Sequence, residues 1–325
     1  YKRQDQTSVL DRPLPPPPLV SPETPLPDQI GNYRILEKLG EGGMGVVYRA
    51  RQDQPERDVA IKVMRPGLFQ AELMKRFDLE TRLLGRLQHP GVAQIYEANV
   101  FEQDDVRIPY FVMEYVDGLT LREYVSLNRL SIPERLHLFC QICEAVHYAH
   151  QKGVIHRDLK PSNILVRDEP VSSAGSNPPT AYGQIKILDF GVARATDADL
   201  QATTFLTDVG QLVGTLPYMS PEQVSGRAYE VDVRSDVYAL GVILFEMLSG
   251  RLPYDLDDQS IVEAARTIAE SEPTRLSKLD GNFGSDLPII TAKALEKDPT
   301  RRYQSAADLG ADVRRHMQDQ PIEAR

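Results

Sequence analysis

The sequence predicts an α+β fold of two lobes, a small antiparallel β-sheet lobe with one main helix and a larger, mainly α-helical lobe. Short β-branched and aromatic runs crowd residues 33–115, whereas beyond Gly118 the apolar spacing turns mainly helical. A length of 325 residues with 41% hydrophobic content is enough to bury a core divided between two such lobes. The expected boundaries are 33–115 for the sheet lobe, 116–316 for the helical lobe and 317–325 for a tail.

Residues 1–28 hold eight of the 24 prolines, including Pro15, Pro16, Pro17 and Pro18, and read as a disordered proline-rich spacer. Strand-like runs follow at 33–38, 46–51 and 59–63, then a helix over 77–87 with Phe77, Leu83, Leu84 and Leu87 near one face. Further strand signals lie at 95–97 and 110–115. Ser131 and Glu134 form a capping box that opens a long helix, whose apolar stripe runs through Leu136, Phe139, Cys140, Cys143, Val146 and His150. Strands at 164–166 and 184–188 bracket residues 168–183, a Ser-, Pro- and Gly-rich stretch expected to be a mobile excursion. A buried helix over 235–250 takes Ser235 as its N-cap and Gly250 as its C-cap.

The chemistry concentrates between the long helix and the 164–166 strand. His156, Arg157, Asp158, Leu159, Lys160, Pro161, Ser162 and Asn163 place a carboxylate, an ammonium and an amide on one short loop. Moving a phosphoryl group onto a hydroxyl needs a group to receive or orient the hydroxyl proton, a cation beside the phosphate and an oxygen ligand for a metal. Three further motifs flank this loop in order: Gly40, Gly42 and Gly45 as G-x-G-x-x-G, Val59 to Lys62 as V-A-I-K, and Asp189-Phe190-Gly191 as D-F-G.

Each motif has a plainer reading. A lone G-x-G-x-x-G also marks dinucleotide sites, but there a helix follows, and here Val46, Val47 and Tyr48 continue as a strand. The resulting hairpin can lay backbone amides over phosphates. Lys62 alone would be an exposed strand lysine unless an acid pairs with it, and both Glu72 and Glu80 are candidates. Cys140 and Cys143 form C-x-x-C beside His147 and His150, which suggests zinc or redox chemistry, but their place on an apolar helical stripe makes them small core hydrophobes.

A formal charge of −10 and a pI near 5.2 argue against a nucleic-acid surface. Two cysteines supply no disulfide framework and suit a reducing interior. No apolar run approaches the roughly 20 residues of a membrane helix. The chain starts at Tyr1 rather than Met, so a longer protein with an anchor or sensor elsewhere is expected.

Over about 33–316 the chain resembles a protein kinase. GEGGMGVVYRA at 40–50, HRDLKPSN at 156–163 and GTLPYMSPEQ at 214–223 most resemble the eukaryotic-like serine/threonine kinases of bacteria. The resemblance implies a cytoplasmic ATP-dependent enzyme acting on Ser and Thr of protein substrates, with Mg²⁺ or Mn²⁺. It implies Asp158 as catalytic base or hydroxyl-orienting group, Lys160 beside the γ-phosphate, and Thr215 near both. Asn163 and Asp189 would hold the metal, and Lys62, held by Glu80, would contact the α/β-phosphates. The nucleotide would lie under Leu39, Gly40, Glu41, Gly42, Gly43, Met44, Gly45 and Val46. Val47, Ala60 and Leu165 would sandwich adenine, with Met113 at the back and the backbone of Glu114 and Val116 at its edge. Over the activation segment, 189–222, autophosphorylation is expected at Thr207 first and Thr203 or Thr204 next.

Two departures stand out: Ser220-Pro221-Glu222 replaces A-P-E, and Tyr238 stands where Trp is frequent. Glu222 is still expected to pair with Arg302, and Asp236 to brace the catalytic loop. A pseudokinase scaffold remains the alternative from another class, and a small-molecule kinase a third reading. A homodimer through the small lobe is known among similar kinases, but no residue pattern here establishes one.

Overall fold

The computed structural model describes residues 27–42, 45–65, 85, 87–103, 106–168, 183–190, 214–279, 281 and 283–324. Glu72, Glu80, Gly43, Met44, Thr203, Thr204 and Thr207, and the interior of the 168–183 stretch, lie outside the described residues.

The sheet lobe is built from β1 (Gln29–Ile30), β2 (Tyr33–Gly42), β3 (Gly45–Asp53), β4 (Glu56–Met64), β5 (Ile95–Gln103) and β6 (Val106–Glu114), in spatial order β1-β2-β3-β4-β6-β5, all neighbours antiparallel. β4 is central and covered on both faces. Its alternation puts Val59 and Ile61 into one cluster with Ala50, Tyr110 and Val112, and Ala60 and Met64 into another with Phe111 and Met113. Lys62 therefore shares the second face, and the register sets Met113 opposite Ala60. The strands outrun the 95–97 and 110–115 signals because the ladder continues through polar pairs such as Glu102 with Arg107. β1 adds a strand ahead of Tyr33, with Ile30 buried.

Gly45 closes β2 onto β3 opposite Gly42. A Cβ there would sit 1.9 Å from the Val63 carbonyl oxygen, so only glycine permits this approach to β4.

The helical lobe comprises α1 (Leu121–Leu127), α2 (Ile132–Gln151), α3 (Pro221–Val224), α4 (Val233–Ser249), α5 (Ile261–Glu270), α6 (Asp286–Ala294) and α7 (Ala306–Met317). A second, three-stranded sheet of β7 (Leu119–Thr120), β8 (Ile164–Arg167) and β9 (Gln184–Ile187) runs in that order. α2 opens as expected, the Glu134 carboxylate accepting from the Ser131 amide and hydroxyl, each at 2.6 Å. α4 is buried nearly all round, which marks it as the centre of the lobe. Its start corrects the expected cap: Asp232 is the N-cap and accepts the Arg234 amide at 2.8 Å, while Ser235 lies buried in the first turn. Gly250 closes the helix in the left-handed conformation, φ 71°.

Cys140 and Cys143 face the lobe's core, where burial pushes both thiols up, Cys140 to about 11. The Tyr124 hydroxyl fastens both ends of the 168–183 stretch, donating to Asp168 at 2.7 Å and accepting the Gly183 amide at 3.3 Å. Beyond α7, Ile322 is buried and the Glu323 and Ala324 amides donate to the Asp312 carboxylate.

Candidate active site

The loop from α2 to β8 is held from below by α4. The buried Asp236 carboxylate accepts the amides of His156 at 2.8 Å and Arg157 at 2.9 Å, and its Oδ2 meets His150 Nε2 at 2.7 Å. Burial pushes this carboxyl up, but the His150 bond and the charge and amide contacts outweigh it and hold it below the usual carboxylate range. Arg157 takes a left-handed backbone, φ 68°, unusual for a side-chain-bearing residue. That geometry lets two successive amides turn toward one carboxylate.

Downstream, the His156 ring bridges two segments. Asp158's amide donates to His156 Nδ1 at 3.2 Å, so the ring proton belongs on Nε2, which donates to Leu188 O at 2.9 Å. Phe190 packs edge-on against the same ring at 4.7 Å between centroids. Together they fix the start of the 189–222 segment against the loop.

The Asp158 carboxylate is held on one side only. Its Oδ2 accepts Asn163 Nδ2 at 3.0 Å and lies 3.1 Å from Lys160 Nζ. Its Oδ1 is buried without a partner among the described residues. Asn163 Nδ2 also donates to Asp158 O at 2.8 Å, which commits the amide nitrogen to the loop and leaves the amide oxygen for a hard cation. Lys160 Nζ donates to the Thr215 hydroxyl at 2.6 Å, joining the loop to the far end of the activation segment. Gln223 Nε2 adds a second link, donating to Arg157 O at 2.8 Å.

Asp189 comes from beyond β9, with φ 58°. Its Oδ2 pairs with Lys62 Nζ at 2.9 Å, across the cleft from β4. Burial raises the Asp189 carboxyl, and the Lys62 charge and hydrogen bond outweigh it, so it sits below its ordinary value. Its two oxygens and the Asn163 amide oxygen are the donor chemistry that Mg²⁺ or Mn²⁺ takes, so the residues present fit such an ion. Glu80, the expected partner of Lys62, is outside the described residues, and Asp189 is the acid seen against that lysine.

Above the cleft, Val47 and Ala60 line the same face of the sheet as Lys62, and Met113 ends that face beside the crossing at Glu114. Leu39 is 44% exposed on the hairpin that carries Gly40, Glu41 and Gly42, and Leu165 lies on β8 below. Behind Met113, Leu87, Val92, Ala93, Ile95 and Phe190 line an apolar pocket with Asp189.

The activation segment is anchored at its end. Arg302 and Glu222 form a bidentate pair, both bonds at 2.8 Å, and Ser235 Oγ donates to Glu222 at 2.7 Å. All five guanidinium N–H groups are used, the rest donating to the carbonyls of Glu296, Arg234 and Lys297. The expected Glu222–Arg302 pairing is thus present. Sequence reasoning missed His150, placed on the apolar stripe, as well as Gln223 and Lys186; only the His150 spacing to the loop offered a local signal.

The profile of the protein kinase domain matches residues 33–312. The chain is 38% identical over 294 residues to serine/threonine-protein kinase PknB of Mycobacterium tuberculosis, covering 90% of this chain and 44% of that protein. It is 38% identical over 296 residues to a probable serine/threonine-protein kinase of Streptomyces coelicolor (90% and 41%), and 37% identical over 286 residues to serine/threonine-protein kinase PrkC of Bacillus subtilis (87% and 40%). The chain thus spans about two-fifths of the length of these relatives. Among solved structures, the PknI kinase domain of Mycobacterium tuberculosis superposes with a TM-score of 0.65 at 23% identity, over 90% of this chain and all of that one, a likeness of fold.

Proposed function

This chain belongs to the protein kinase family, and we propose that it transfers the γ-phosphoryl group of ATP to serine and threonine hydroxyls of proteins. The observation that carries the proposal is the half-held Asp158 carboxylate. Oδ2 is fixed by Asn163 and Lys160, whereas the buried Oδ1 has no partner among the described residues and can accept the proton of an incoming hydroxyl.

Around that acceptor each residue takes one task. Lys160 sits between Asp158 and Thr215, where its charge balances the transferred phosphoryl while the Thr215 hydroxyl helps to place an alcohol. Lys62 orients the α/β-phosphates, with Glu80 as its acid partner. The hairpin from Leu39 through Gly43, Met44 and Gly45 to Val47 covers the nucleotide. Ala60 and Leu165 hold the adenine ring from above and below, Met113 backs it, and the Glu114 and Val116 backbone bonds its edge. Asn163 and Asp189 would hold Mg²⁺, with Mn²⁺ as substitute; the bound ion would neutralise phosphate charge.

Autophosphorylation at Thr207, then Thr203 or Thr204, is proposed as the activating step, because a phosphate carries about −1.5 to −2 charge and can order the segment against Arg157. Among the described residues no helix is long and apolar enough to cross a membrane. Two free cysteines and an ATP requirement favour action in the cytoplasm.

Purified protein incubated with Mg²⁺ and ATP beside Asp158→Asn tests this. Phosphothreonine in 189–222 by mass spectrometry, present only in the unaltered protein, is the expected result. ATP binding with no phosphate on the chain or on any protein substrate would favour a nucleotide-binding scaffold instead.

A further inference from the structure

β6 leaves the sheet lobe at Glu114, the residue from which the chain crosses to the helical lobe. Its carboxylate is held through Oε2, which accepts Lys186 Nζ at 2.7 Å and the Gln94 backbone amide at 3.3 Å. The Glu114 amide in turn donates to Gln94 O at 2.8 Å. The Lys186 and Glu114 side chains keep only 10% and 17% of their exposure, so this is a pair withdrawn from water. Lys186 Nζ also lies 3.4 Å from Val92 O. The segment between is stitched to β9 on its other side, with Ile187 N donating to Gly91 O and Ala93 N to Ile187 O, each at 2.9 Å.

Three segments therefore meet at one ammonium: the crossing at Glu114, the 91–94 turn, and β9, which leads to Asp189. A charge withdrawn from water is costly to hold, and its removal alone strands its partner. Lys186 touches neither Asp158 nor Lys62, and no catalytic step uses it. What the pair does is fix the Glu114 side chain, and with it the backbone on either side. Lys186 stands opposite Leu165 in the β8–β9 ladder, so its stem shares a face with the residue placed below the adenine ring. An edge-on backbone recognition loses its value when the backbone is displaced by a fraction of an ångström.

We infer that Lys186 is a positioning residue for the nucleotide: through its ion pair with Glu114 it fixes the backbone that bonds the adenine edge. The inference rests on the kinase reading above.

Steady-state kinetics of Lys186→Met, Lys186→Arg and the double variant Lys186→Met/Glu114→Gln test it, with ATP and acceptor protein varied in turn. Expected is a rise in KM for ATP of roughly tenfold in Lys186→Met, with kcat and the KM for acceptor within about twofold. Lys186→Arg, which keeps the cation, recovers most of the affinity. The double variant removes the stranded charge, so its melting temperature returns toward that of the unaltered protein while its KM for ATP stays high. An unchanged KM in folded Lys186→Met, or a fall in kcat alone, would overturn the inference and leave the kinase reading standing. Failure of both neutral variants to fold would overturn it too, because the pair would then be structural. No ATP binding by the unaltered protein would instead sink the kinase reading, and this inference with it.

Discussion

Lys62 on β4 reaches across the cleft to Asp189, Nζ to Oδ2 at 2.9 Å, and so joins two residues 127 positions apart. Among the described residues it is the direct charge bridge between the sheet lobe and the segment that starts at D-F-G. Lys62→Met leaves the Asp189 carboxylate without the charge that outweighs its burial. We expect a loss of about 10²- to 10³-fold in kcat, the scale of removing one oriented donor from a developing charge. Phosphate incorporation into a protein acceptor at saturating ATP measures it; turnover within threefold of normal would remove Lys62 from the site.

Lys160 donates to Thr215 at 2.6 Å and lies 3.1 Å from Asp158. A hydrogen bond to a charged group contributes about 1.5–3 kcal/mol, so Thr215→Ala is expected to lower kcat/KM for the acceptor by roughly ten- to a hundredfold. Thr215→Ser, which keeps the hydroxyl, should stay within about threefold. Equal losses in both variants would show that the methyl group, and not the Lys160 bond, matters at this position.

The parts of this site that a sequence reader can find are those whose residues are neighbours in the chain. His156 to Asn163 declare their chemistry within eight positions, and Val59 to Lys62 show both strand character and a lysine. What arranges them is long-range. Asp236 reaches back 80 positions to the His156 amide, a bracing expected from the family resemblance alone, and Lys186 reaches back 72 to Glu114, an unexpected pairing. No local pattern carries such a pairing. Ser235 illustrates a different failure: Asp232 and Ser235 are both good caps, and the choice fell to Asp232 because Glu222, brought in by the tertiary fold, takes the Ser235 hydroxyl. His150 fitted the apolar period of α2, yet its ring faces Asp236, because a helix stripe also carries the polar groups a neighbouring carboxylate requires.

Cys140 and Cys143 are buried and their thiols are pushed up by desolvation. The thiolate is the reactive form, so we expect both to resist a thiol reagent near neutral pH and to react fully in denaturant. Two equivalents of free thiol per chain on unfolding, with almost none before, is the expected titration. Rapid labelling of the folded protein would place at least one of them on an accessible surface instead.

Glu222 and Arg302 anchor the end of the activation segment through two bonds of 2.8 Å, with the Arg302 side chain wholly buried. Burial pushes the Glu222 carboxyl up, but Arg302 and Ser235 outweigh it and hold it below its ordinary 4.5. A carboxyl depressed in the folded state adds stability that is complete above the unfolded value and drains away as the pH falls through the folded one. Glu222→Gln strands a buried guanidinium, so it should destabilise the protein by about 3–5 kcal/mol at pH 7. Below pH 4.5 the unaltered protein progressively loses the same carboxylate, so the gap between the two should shrink with acidification. Urea midpoints at pH 7, 5 and 4 measure both effects, and a gap that stays constant or widens toward acid would mean that the Glu222 charge is not what holds the segment.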